Sequence, residues 1–89
     1  MQDYSEFPPF HSFKKVLQFS PSVALVYAAI WKSKSDKFDL KCKRREIAKR
    51  FSISPTVFKN NLLMLSRLEL LTFQESKDIF LIDFAQQSN

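Results

Sequence analysis

Projected onto a helix at about 100° per residue, residues 55–69 place Thr56, Lys59, Asn60, Ser66 and Arg67 on one arc, with Leu63 in its middle. Side chains of these types hydrogen-bond to base edges and phosphates. An asparagine amide pairs bidentately with adenine, a lysine ammonium reaches guanine or phosphate, and a threonine methyl touches thymine. Thr56, Lys59, Asn60 and Leu63 are therefore the candidate base-reading set. Leu63 has two uses on such a face, a thymine-methyl contact or a contact with protein. Arg67 lies near the helix end and suits a phosphate better than a base. The same arc also fits an ordinary solvated face. The opposite arc, formed by Val57, Phe58, Leu62, Met64, Leu65 and Leu68, spans about 160° and is expected to face a core. Asn61 falls inside that arc, where its amide is expected to bond neighbouring backbone.

A second cluster lies upstream. Lys41, Lys43, Arg44 and Arg45 crowd the start of a helix expected over residues 43–51. The helix dipole disfavours cations there, by about 0.3–1 kcal/mol each when exposed. A phosphate docked at that terminus reverses the sign, because it pairs with the side chains and the free amides together. A basic loop whose side chains swing away from the dipole is the alternative. Lys43, Arg44, Arg45, Lys49, Ser54, Arg67 and Lys77 make up the candidate phosphate contacts.

These groups need rigid elements to position them. Ser20-Pro21 and Ser54-Pro55 each combine a serine N-cap with proline at the first helical position. The first pair opens a helix over residues 21–33 that is apolar almost all round and must be central. The second opens the reading helix, running to about residue 69. Residues 38–42 alternate like a short strand. Between the later helices, Ile47, Ala48 and Phe51 share one arc, Arg45, Glu46, Lys49 and Arg50 the other, and Ser52-Ile53 forms a turn. Residues 70–74 and 79–84 read as a hairpin closed by Glu75-Ser76-Lys77-Asp78, with Phe80, Ile82 and Phe84 inward. A tip with two acids is a poor minor-groove probe. Residues 1–19 form an aromatic arm or short helix, with 1–6 mobile, and 85–89 a flexible tail.

Composition narrows the options. With 89 residues, ten of them phenylalanine, the chain makes one domain with a core of its own. Fourteen Lys and Arg against nine Asp and Glu give a net charge of +5, which draws the chain toward polyanions. The apolar run 23–31 is half a membrane span, and no signal peptide is read at the N-terminus, so no membrane partner and a cytoplasmic location are expected. A lone Cys42 and a lone His11 build neither a disulfide nor a zinc site. Glycine is absent, which removes glycine-rich phosphate loops. No enzyme activity, cofactor or small-molecule substrate is expected. Turns needing positive φ must use Asn, Asp, Ser or Lys, or another geometry.

Helix, strand, helix, helix, strand, strand is an order that resembles the winged helix-turn-helix superfamily of bacterial, phage and plasmid DNA-binding domains. It looks closest to replication initiators and small transcriptional regulators. The residues that carry the likeness are Ser20-Pro21-Ser22; residues 46–51 (Glu-Ile-Ala-Lys-Arg-Phe); Ile53-Ser54; Phe58, Leu62 and Leu65; and Leu70-Leu71. The chain departs at Ser52 and Glu69, where the family commonly has the glycines that supply a left-handed residue. The resemblance implies a mainly α fold with a small antiparallel wing over residues 20–84, and a partner of double-stranded DNA in transcriptional regulation or replication initiation. A minority of such domains contact protein instead, so a homodimer or larger assembly through the reading face and aromatic arm is the alternative.

Overall fold

Serine followed by proline starts both long helices. Ser20 and Ser54 are extended, and their hydroxyls accept from the Val23 and Val57 amides at 3.4 and 3.2 Å. The proline loses nothing there, since its position has no intrahelical acceptor to reach. The computed structural model describes residues 7–85. Its elements are α1 (Phe10–Phe19), α2 (Pro21–Ser33), β1 (Asp39–Lys43), a 3-10 turn (Arg44–Glu46), α3 (Ile47–Phe51), α4 (Pro55–Arg67), β2 (Leu71–Glu75) and β3 (Ile79–Phe84). The protein is mainly helical with one three-stranded antiparallel sheet, ordered β1-β3-β2. Residues 1–6 and 86–89, expected to be mobile, lie outside the described part.

β3 alternates as expected, burying Phe80, Ile82 and Phe84. Onto this face α4 lays Phe58, Leu62 and Leu65, all fully buried. α2 is the central helix, with Val23, Ala24, Val26, Tyr27, Ile30 and Trp31 inside. Within residues 7–19, Phe10–Phe19 form a helix, α1, and not an irregular arm. It packs on α2 through Val16 and Ser12, whose hydroxyl bonds the Tyr27 phenol, while burial pushes the Tyr27 pKa up to about 12. No helix of the described residues is long and apolar enough to cross a membrane.

Several boundaries and faces differ from the sequence expectation. Helix formation at residues 43–51 begins late, because Lys43 still pairs with Ile79 in the sheet and the Arg44 amide donates to Asp78 O at 2.7 Å. Long-range pairing outcompetes the local helix, leaving a single 3-10 turn and a five-residue α3. The first strand is displaced by one residue to Asp39–Lys43 and the second to Leu71–Glu75. Glu75 therefore belongs to a strand, not the hairpin tip. Val57 and Ala48, expected inside, are exposed, since Phe58, Leu62 and Leu65 form a narrower stripe and α3 presents Ile47 to the core. Asn61 is half-buried, so its amide keeps access to water instead of needing a backbone partner in the core.

Without glycine, three residues among those described take positive φ: Phe38 at 66°, Ser52 at 62° and Glu69 at 65°. Two of these are the positions where the resembled family has glycine. α4 ends in a Schellman closure in which Glu69 N donates to Ser66 O at 2.9 Å and Leu70 N to Leu65 O at 3.1 Å. A left-handed residue with a Cβ is strained by about 1–2 kcal/mol, part of which glycine returns as lost chain entropy. Ser52→Gly and Glu69→Gly should each stabilise the domain by about 0.5–1 kcal/mol. Thermal denaturation should show melting points raised by several degrees, and a fall would refute the strain at these turns.

Candidate nucleic-acid interface

The orientation of α4 is set by one side chain. The Phe58 ring stacks on Phe51 of α3 at 5.2 Å and meets Phe80 of β3 edge-on at 5.4 Å. With Phe58, Leu62 and Leu65 inward, the helix turns Thr56, Asn60, Leu63 and Arg67 outward, all exposed. Leu63 is 41% exposed, and Val57 adds a second apolar side chain on this helix at 44%. Ser54 spends its hydroxyl on the helix cap. Thr56 is in the first turn and Arg67 in the last, so the face extends for roughly 17 Å at 1.5 Å per residue.

Lys59 lies at the border of this face and has a partner. Its Nζ is 2.8 Å from Glu75 Oε1, and Arg44 donates from its guanidinium to Glu75 Oε2 at 2.6 Å. The Lys59 ammonium and Arg44 guanidinium hold the Glu75 carboxyl below its ordinary pKa. Glu75 is a functional candidate that sequence reasoning missed. Its sequence neighbours Phe73, Gln74, Ser76 and Lys77 gave no signal of this, since Arg44 and Lys59 lie 31 and 16 positions upstream, and its assignment to the hairpin tip placed it away from both.

Lys43, Arg44 and Arg45 do gather, though not at a free helix terminus. With the Arg44 amide engaged by Asp78, the expected dock on open backbone amides is not formed at this point. The three cations instead line an open cleft of about 490 Å³ with Pro55, Asp78 and Ile79. The cleft joins the basic segment to the first residue of α4. The Arg44 guanidinium also lies 5.4 Å from the centre of the Phe80 ring, anchored on the core residue that supports Phe58. Lys49 is exposed on α3 and Lys77 in the hairpin turn. Lys43, Arg44, Arg45 and Lys59 thus form one neighbourhood around the start of α4, and Arg67 stands at its other end.

Among the described residues no three His, Cys, Asp or Glu are grouped to hold a metal ion. Burial pushes the Cys42 thiol pKa up, which disfavours the reactive thiolate. His11 is exposed on α1. No family model, curated protein or solved structure matches the chain.

Proposed function

We propose that the chain is a winged helix-turn-helix domain that binds double-stranded DNA. α3 and α4 are the helix-turn-helix, and the β2–β3 hairpin is the wing. α4 enters the major groove, where Asn60 and Thr56 meet base edges, while Lys43, Arg44, Arg45 and Lys49 hold the backbone. The role is in transcriptional regulation or replication initiation. The observation that carries this reading is the exposed polar face of α4 continuing into a cleft lined by three cations. That pairing supplies both halves of duplex recognition, backbone anchoring and base contact.

A protein-contact reading has its own support. Leu63 and Val57 are exposed on α4, and Phe10, Leu17, Phe19 and Leu25 are exposed on α1 and α2. Fluorescence anisotropy with a random duplex at about 50 and about 200 mM salt separates the two. DNA binding predicts an affinity that falls on the order of a hundredfold between these conditions, as several phosphate contacts require. A salt-independent signal, or none, together with a dimer that buries Leu63, would favour the protein-contact reading.

A further inference from the structure

Glu75 joins three elements with one carboxylate. From the end of β2, which packs against α4, it gives Oε2 to Arg44 of the 3-10 turn and Oε1 to Lys59 of α4, at 2.6 and 2.8 Å. None of the three is sequestered: the side chains of Arg44, Lys59 and Glu75 are 37%, 44% and 24% exposed. Two cations from different elements, bridged by an anion with one oxygen on each, form a two-pronged anion site that is already filled from within. A phosphate offers the same arrangement through two of its oxygens.

Resting on the DNA reading above, we infer that Arg44 and Lys59 form a single site for a backbone phosphate, and that the Glu75 carboxylate is its resident competitor. Exposed ion pairs are weak and screened by salt, so the carboxylate yields to a sufficiently strong polyanion. A duplex qualifies, with about one charge per 1.7 Å of its axis. Both cations keep spare donors when bridged, since a guanidinium has five and an ammonium three. The transfer from carboxylate to phosphate therefore needs side-chain rotation only. Glu75 also repels every phosphate that approaches, whatever the base sequence. It lowers affinity for all duplexes alike and leaves the contacts of Asn60 and Thr56 untouched. The ratio of affinities between one sequence and another is therefore unchanged. Glu75 sets the overall affinity for duplex, and its salt dependence, without touching a base.

The test uses the full chain and a short fluorescein-labelled duplex of random sequence, titrated across salt concentrations. Glu75→Gln keeps the side-chain shape and removes the charge. It should bind several-fold to about tenfold more tightly than the wild type, with a salt slope steeper by about 0.9 for each cation freed. Asp36→Asn makes the same charge change in the exposed loop before β1 and should raise affinity less, with the slope unchanged. Adding Arg44→Ala and Lys59→Ala to Glu75→Gln should abolish the gain, while circular dichroism confirms the fold. If the wild type shows salt-dependent binding and Glu75→Gln gives no gain, or only the gain of Asp36→Asn, the competitor role is wrong and the DNA reading stands. If neither wild type nor Glu75→Gln binds, the DNA reading fails and the competitor role with it.

Discussion

Phe58→Ala is expected to lower the melting temperature by roughly 15–30 °C. Phe58 is fully buried and is the joint between three elements, stacked on Phe51 of α3, set edge-on to Phe80 of β3, and carried on α4 itself. Truncating a buried phenylalanine to alanine costs about 3–5 kcal/mol, from lost transfer energy and the cavity left behind. A domain of 89 residues has a total stability of roughly 4–13 kcal/mol, so the loss is a large fraction of the whole. Each kcal/mol corresponds to about 4–8 °C in a domain of this size. Phe58→Leu keeps most of the volume and should lose less than half as much. Phe10→Ala removes a ring that is 73% exposed and should change stability by no more than about 0.5 kcal/mol. Thermal circular dichroism on the three variants checks the ranking. A Phe58→Ala melting point within a few degrees of wild type would show that α4 is held by something other than these ring contacts.

The features legible in the sequence are those that local chemistry decides. Ser20-Pro21 and Ser54-Pro55 set both helix starts because a hydroxyl cap and a fixed φ act within one turn. The period-2 alternation of Phe80, Ile82 and Phe84 set the inner face of β3, and the order of elements over residues 20–84 is as expected. Where a distant segment intervenes, the reading fails. Nothing near Arg44 announces that its amide is claimed by Asp78, or its guanidinium by Glu75, 31 residues away. The same competition shortens α3 and gathers the candidate phosphate contacts Lys43, Arg44 and Arg45 in a side-chain cleft instead of at a helix terminus. Lys59 has the spacing of a base-reading residue, yet Glu75 draws it toward the sheet. The missing glycines were plain from the composition. That Glu69 and Phe38 rather than Asn or Asp would take the left-handed turns was not, because position in the fold, not intrinsic preference, chose them.

Two paired substitutions should give opposite signatures if α4 reads bases while the cleft holds the backbone. Lys43 and Arg45 line the cleft and are exposed, free of the Glu75 bridge that complicates Arg44. Lys43→Ala with Arg45→Ala removes two backbone contacts that carry no sequence information. Binding to any duplex should weaken by about tenfold or more, and the salt slope should flatten by about 0.9 per cation removed. Thr56→Ala with Asn60→Ala leaves the charge unchanged. It should cost about 1–3 kcal/mol of discrimination on a duplex obtained by binding selection, with the salt slope and random-duplex affinity nearly intact. The pairs are measured together, on selected and random duplexes, at several salt concentrations. Equal losses from both pairs on both duplexes would place α4 outside the groove and reduce the interface to charge alone. No loss from either pair would return the face to its apolar members. Leu63→Glu should then dissociate a dimer in sedimentation, because a carboxylate buried without a partner is far costlier there than on a wet protein–DNA surface.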